Sequence, residues 1–345
     1  MKKPTLALFP GQGSQHVGMG KTLCADFPIA REAFEEASDA TSLNLRKLCF
    51  DGPESDLTLT ENTQPTLLTA SVAAFRVAQK ELGFKPAAVA GHSLGEYSAL
   101  VAAGALPLAA AARWVHQRGL AMQKAVPAGQ GTMAAVMGLD EAQIGVLCAR
   151  ATEQAVSKRS SGVTVDSTGE TVDYTVDAVV QPANYNSPGQ IVIAGSTDAV
   201  AEAVAMIKAG GDFAGAKAIP LSVSAPFHCS LMKPARDRMA ELFAQATSNE
   251  KARTLICPYV PNRTARITSE PGLVFDLLIE QVDHPVLWMQ SMNTLLAEGF
   301  EHAVEFGPGK VLQGLMKRIG NSAGKTCAMV GVSDGTTLKA LEAYL

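Results

Sequence analysis

The sequence predicts an α/β protein: a large domain built on a parallel sheet covered by helices, carrying a smaller inserted α+β subdomain. Three observations carry this reading. Short apolar runs alternate with helical patterns through most of the 345 residues, as expected of parallel strands joined by crossover helices. A Gly-x-Ser-x-Gly turn, Gly91-His92-Ser93-Leu94-Gly95, lies between one such run and a stretch rich in helix formers. Beyond the linker Gly129-Gln130-Gly131 the character of the sequence changes to short strands and helices. The large domain is therefore placed at 1–129 and 211–345 and the small one at 130–210.

The elements follow in order. Residues 5–9 read as a buried strand running into Pro10-Gly11-Gln12-Gly13-Ser14-Gln15. That loop lacks the lysine of a phosphate-binding loop and the third glycine of a dinucleotide fingerprint, but its glycines let the Gln12 backbone approach a ligand closely. Helices are expected over about 26–40 and 64–82, the second with Pro65 at its first position. The run 87–90 is a strand and 108–124 a helix carrying Arg113 and Arg118. In the small domain, strands are expected at 132–137 and 191–194 and helices at 141–154 and 199–209. Between them the Ser-, Thr- and Gly-rich segment 157–176, with alternating valines, reads as a polar surface hairpin. Further strands are expected at 218–223, 255–259 and 302–306, with Asn262 in a loop, and helices at 234–247, 288–298 and 311–319.

Composition narrows the function classes. Apolar residues make up 47% and charged ones 18%, enough for a sizeable core. A net charge of -4, from 29 basic and 33 acidic residues mixed along the chain, gives no sign of a nucleic-acid binder. The six cysteines contain no Cys-x-x-Cys pair, which argues against zinc and a disulfide framework and for a reducing cytoplasm. Pro4 and Pro10 cut the first apolar stretch too short for a signal peptide, and the longest apolar run, 99–112, contains Gly104 and Pro107 and cannot span a bilayer. A cytoplasmic monomer is expected, with no metal, no cofactor and no membrane partner.

The turn at 91–95 points to nucleophilic chemistry. Flanking glycines permit a bend that leaves Ser93 at a helix N-terminus, where unpaired backbone N–H groups are available to an oxyanion. A serine hydroxyl needs a base. Of the six histidines, His92 would point away from Ser93, and His116 and His302 lie inside expected elements. His228, in the loop Ser224-Ala225-Pro226-Phe227-His228-Cys229, is the leading candidate and His284 the runner-up; Cys229 beside it reads as an inert buried thiol. No acid in the chain order suits a triad, so a backbone carbonyl is a sufficient orienting acceptor. Arg118 sits among Ala111, Val115, Ala121 and Met122. Buried there, its guanidinium would need an anionic partner, which a dicarboxylate monoester such as a malonyl group would supply.

Several blocks then agree at once: Phe9-Pro10-Gly11-Gln12-Gly13-Ser14-Gln15, Gly91-His92-Ser93-Leu94-Gly95-Glu96-Tyr97, Gln117-Arg118-Gly119, Asn184-Tyr185-Asn186-Ser187-Pro188-Gly189-Gln190, Phe227-His228-Cys229 and Gly307-Pro308-Gly309-Lys310-Val311-Leu312. In this order and over nearly the whole length, the chain resembles the malonyl-CoA:acyl-carrier-protein transacylases and the related acyltransferase domains of polyketide synthases. The resemblance implies an α/β-hydrolase-like large domain and a ferredoxin-like small one. It implies Ser93 as the acylated nucleophile and His228 as its base. The amides of Gln12 and Leu94 would form the oxyanion hole, Arg118 would clamp the malonyl carboxylate, and the Gln281 main chain would orient the histidine. The substrates implied are malonyl-CoA and holo acyl carrier protein, used in ping-pong order. Leu94 and Phe227 resemble the pattern for malonyl over methylmalonyl units. The segment 157–176 is longer and more polar than its family counterpart. Lys310, Lys317 and Arg318 are candidate contacts for an acidic carrier, or a solvated helix face. A serine hydrolase or thioesterase is the alternative reading, and a non-catalytic carrier-protein partner a third.

Overall fold

The computed structural model describes residues 3–160, 175–223 and 225–345. The strands among the described residues are β1 Thr5–Phe9, β2 Ala88–Gly91, β3 Gly131–Met137, β4 Val180–Ser187, β5 Gln190–Ser196, β6 Lys217–Pro220, β7 Tyr259–Val260, β8 His302–Phe306 and β9 Ala328–Val332. Two compact units divide the chain: Met1–Leu120 with Glu241–Leu277 and Gln290–Leu345, and Ala121–Ala240 with Leu278–Met289.

The first unit holds a parallel sheet in the order β7-β2-β1-β8-β9. Every residue of β1 and β2 is buried, so these strands are unbroken apolar runs, as a sheet covered on both faces requires. The register pairs Leu8 with Ala90 and Phe9 with Gly91. The loop after β1 and the turn after β2 therefore leave the carboxyl edge of the sheet side by side, the edge where open α/β sheets bind ligands. Below that edge Phe306 packs on Phe9, Phe75 and Phe84 with ring centroids 5.9, 5.3 and 5.3 Å away.

Helix limits depart from expectation in informative ways. The helix expected over 26–40 begins at Pro28 and runs to Thr41, and Phe27 separates it from a short helix, Lys21–Asp26, that the sequence reading did not place. The helix expected from residue 64 begins at Thr60 and runs to Leu82, so Pro65 lies inside it. A proline there leaves the carbonyl four residues earlier without its helical donor. His116 Nδ1 meets that carbonyl, Glu61 O, at 2.9 Å. The expected strand over 255–259 shrinks to β7, while β9 and the helix Gly335–Tyr344 lie beyond the last element expected. That last helix opens on a capping box between Asp334 and Thr337.

In the second unit an antiparallel sheet runs β4-β5-β3-β6. The helices Glu141–Ser160 and Thr197–Ala209 cover it through Ile144, Leu147 and Ala203, against Val136, Ile191 and Ile193. The region 130–210 falls in this unit, and β6 joins its sheet from 217–220. Strand β4 is absent from the sequence expectation because Gln181, Pro182, Asn184 and Asn186 interrupt its apolar pattern. Of the segment expected as a hairpin, 157–160 form the last turn of the preceding helix, and 161–174 lie outside the described residues.

Removing the Phe306 ring should open a cavity among three aromatic partners. Phe306→Ala is expected to lower unfolding free energy by about 3–5 kcal/mol, and Phe306→Leu by less, measured by urea denaturation.

Candidate active site

The turn at 91–95 is built by close backbone approach. A Cβ on Gly91 would lie 1.9 Å from the carbonyl of Gly95, and one on Gly95 would lie 2.1 Å from Phe9 O. No side chain fits at either position, so the pattern Gly-x-Ser-x-Gly is a steric requirement here. Between them Ser93 takes φ 51, in the left-handed region, which costs a non-glycine residue of order 1 kcal/mol or more. The helix Gly95–Ala102 starts immediately after, with Leu94 as its N-cap. Leu94 N–H thus belongs to the donors a helix leaves without intrahelical partners.

The loop after β1 meets the turn from the other side. His92 N donates to Phe9 O at 3.0 Å, and a Cβ on Gly11 would stand 2.6 Å from His92 O. Gly13 has φ 103, and Ser14 Oγ donates to Gly11 O at 2.7 Å. Gln12 is thereby carried on a tight bend, its side-chain amide reaching Thr60 Oγ1 at 3.4 Å.

Arg118 projects from the helix Leu108–Lys124 and is buried, with 1% exposure. Its Nη1 donates to Gln64 Oε1 at 2.8 Å and its Nη2 to Ser93 Oγ at 3.3 Å. The guanidinium carbon lies 5.9 Å from the centroid of the Tyr97 ring. Burial lowers the arginine pKa from its ordinary value, while Tyr97 and Glu96 act in the opposite direction. The approach of helix to helix depends on Gly119, whose Cβ would lie 2.7 Å from both Glu61 Cα and Thr60 O. The block Gln117-Arg118-Gly119 thus pairs a buried cation with the glycine that lets it reach Gln64.

In the second unit His228 is buried, adopts φ 62 and places Nδ1 2.8 Å from Gln281 O. A carbonyl oxygen only accepts, so Nδ1 carries the proton in the neutral ring and Nε2 keeps its lone pair. This is the tautomer a general base needs. Cys229 donates its thiol to Pro226 O at 3.1 Å, and burial pushes its pKa up to about 12, which leaves it unreactive. His284, the runner-up, faces Asp283 Oδ1 at 2.7 Å and Glu280 O at 2.9 Å through Nδ1.

Gln12, Ser93, Leu94 and Arg118 gather in the first unit, and His228 and Gln281 meet in the second. Sequence reasoning gave no role to three buried residues. Gln64 holds the guanidinium, Glu96 accepts from Asn262 N at 3.0 Å, and Asn262 bonds the turn itself. Gln64 is one position before the proline in its helix, and Glu96 closes the turn motif, so both stood next to readable signals; Asn262 had none beyond its place after an apolar run.

Comparison with known proteins defines the class. The acyl transferase domain family matches residues 7–182. The malonyl CoA-acyl carrier protein transacylase of Escherichia coli strain K12 is 46% identical over 312 residues, covering 90% of this chain and 91% of that protein. The Bacillus subtilis strain 168 transacylase is 43% identical over 332 residues, covering 96% and 94%. A Vibrio cholerae acyl carrier protein S-malonyltransferase crystal structure superposes with a TM-score of 0.85 at 42% identity, over 98% of this chain and 100% of that one. A type II polyketide-synthase malonyl-transacylase solved with its holo acyl-carrier protein gives 0.85 at 39% identity, over 99% and 100%. The chain is an acyl transferase by domain family. Within that class it belongs to the malonyl CoA-acyl carrier protein transacylase family.

Glycine sites separate by steric demand. Gly95→Ala is expected to cost about 3 kcal/mol or more through overpacking. Gly314→Ala, in the helix Val311–Ser322 with nothing within 4 Å of its Cβ, should instead stabilise by about 0.4–1 kcal/mol. Urea midpoints of the two variants check both signs.

Proposed function

We propose that the protein transfers a malonyl group from malonyl-CoA to the phosphopantetheine thiol of acyl carrier protein, through a malonyl ester on Ser93. The observation that carries this reading is the buried Arg118 guanidinium hydrogen-bonded to Ser93 Oγ. A cation held beside the nucleophile has a use only if the acyl group brings an anion, and a malonyl unit ends in a carboxylate that a guanidinium receives in bidentate fashion. A simple ester hydrolase has no need of it.

In the first half-reaction Ser93 Oγ attacks the thioester carbonyl while His228 Nε2 takes the hydroxyl proton. The amides of Gln12 and Leu94 receive the oxyanion, each such donor contributing about 3 kcal/mol in the transition state. The C–S bond breaks, and the departing CoA sulfur takes the proton from His228. In the second half-reaction the carrier thiol gives its proton to His228 and attacks the malonyl ester, and Ser93 leaves with that proton restored. Gln281 O keeps His228 in the required tautomer throughout. No cofactor enters these steps; CoA and the carrier come as substrates. A thiol prevails over water here only if the acyl-enzyme is kept dry.

The finer fold follows the same reading. The large domain is α/β-hydrolase-like, supported by a serine on a strained strand-to-helix turn at the carboxyl edge of a parallel sheet. The small domain is ferredoxin-like, supported by the succession β3, helix, β4, β5, helix, β6 in a four-stranded antiparallel sheet. A cytoplasmic setting agrees with six free thiols. Among the described residues no helix is long and apolar enough to cross a membrane.

Incubation with malonyl-CoA alone is expected to add one malonyl group, mapped by peptide mass to Ser93 and discharged by holo carrier protein faster than by water. Rapid CoA release without an adduct would instead mark a thioesterase. Arg118→Ala is expected to cut kcat/KM for malonyl-CoA by about 2–5 kcal/mol of transition-state stabilisation while sparing acetyl-CoA, read from steady-state kinetics with both donors.

A further inference from the structure

We propose that Asn262 is the positioning residue of the nucleophile: its carboxamide holds the first residue, Gly91, and the middle residue, Ser93, of the strained turn. The inference rests on reading Ser93 as the nucleophile. Asn262 is fully buried and follows β7, which pairs with β2 so that Val260 lies beside Ala90. This register brings the residue two past Val260 level with the turn that begins at Gly91. From there Oδ1 accepts from Ser93 N at 2.6 Å, and Nδ2 donates to Gly91 O at 2.6 Å. An N–H on one side and a carbonyl on the other admit only one orientation of the amide, so donor and acceptor are assigned by chemistry. The backbone N of Asn262 is held in turn by Glu96 Oε2 at 3.0 Å, on the helix that the turn opens. Strand, nucleophile and helix are thus tied to one residue.

Two consequences bear on catalysis. The Ser93 amide is occupied, so it donates to no oxyanion, and that task falls to the next amide along, Leu94, with Gln12. The bond to Ser93 N also fixes the residue that holds φ 51, and with it the direction of Oγ. Near-attack geometry tolerates little error, and a shift of about 1 Å costs roughly 100-fold in rate. An apolar side chain of similar volume would fill the same space without directing the serine.

The test uses the full chain and measures acylation by malonyl-CoA in rapid-quench intact-mass experiments. For folded Asn262→Ala the acylation rate at saturating malonyl-CoA is expected to fall about 10- to 100-fold, with half-saturation changed by less than about three-fold. Asn262→Asp keeps the acceptor for Ser93 N but sets a carboxylate oxygen against Gly91 O. Glu96 Oε2 accepts from the backbone N of the same residue, and Tyr97, Tyr259 and Arg118 act electrostatically on Glu96 in turn. Once protonated, the N262D carboxyl regains a donor for Gly91 O, so its rate relative to wild type should rise as pH is lowered from about 8 to about 6. A merely structural role would leave that ratio flat. Wild-type acylation in folded N262A, a loss confined to half-saturation, or a flat N262D ratio would each overturn the proposal. Should N262A fail to fold, the N262D ratio decides alone. Absence of a malonyl adduct on Ser93 in the wild-type protein would defeat the nucleophile reading itself, whereas a normal wild-type adduct with unaffected variants would defeat only the role of Asn262.

Discussion

Everything local to the serine depends on one constraint: a non-glycine residue must be held in left-handed backbone at the start of a helix. The turn can be that sharp only because two backbone segments touch where Gly91 and Gly95 have no side chains. Sterics alone would permit the bend without enforcing it. The enforcement comes from hydrogen bonds, with Asn262 on Ser93 N and Gly91 O, and with His92 N on Phe9 O. The strain is therefore a local cost borne by neighbouring strands whose own burial is complete.

Buried charge is the second organising feature. Arg118 is desolvated, and an isolated guanidinium in that environment would be very costly. Gln64 supplies a neutral acceptor at 2.8 Å, the Tyr97 ring an electron-rich face, and Glu96 a negative charge whose field favours the cation. Gln64 fixes direction without neutralising the positive charge, which leaves the guanidinium competent to bind an anion. Gly119 makes this possible, because any larger residue would push the two helices apart and lengthen the reach from Arg118 to Gln64.

Much of this was legible in the chain. Strand β1, strand β8 and the helix Leu108–Lys124 were expected at the limits observed, because each is a short β-prone stretch or a helical pattern with Pro or Gly at its end. The turn was legible because its glycines are sterically compulsory. Where local signals conflicted with tertiary ones, sequence reasoning went astray. Pro65 looks like a helix start by propensity, yet a histidine distant in sequence meets the carbonyl that the proline strands. Strand β4 carries Gln181, Pro182 and Asn184 where an unbroken alternation would be needed, and its pairing with β5 decides its state instead. Asn262 was out of reach for a different reason: its function lies in contacts across 169 and 171 positions of sequence, and no local pattern encodes a distance of that kind.

The orienting partner of His228 completes the argument. A carboxylate in that position would fix the tautomer and stabilise the imidazolium more strongly than a carbonyl does. It would also place a negative charge against the imidazole. The main-chain oxygen of Gln281, 2.8 Å from Nδ1, sets the tautomer by hydrogen bonding alone and contributes no net charge. In the proposed transfer, a histidine held by a neutral acceptor adds no charge of its own to a reaction whose substrate is already anionic. The chain thus holds the His228 tautomer without an acid.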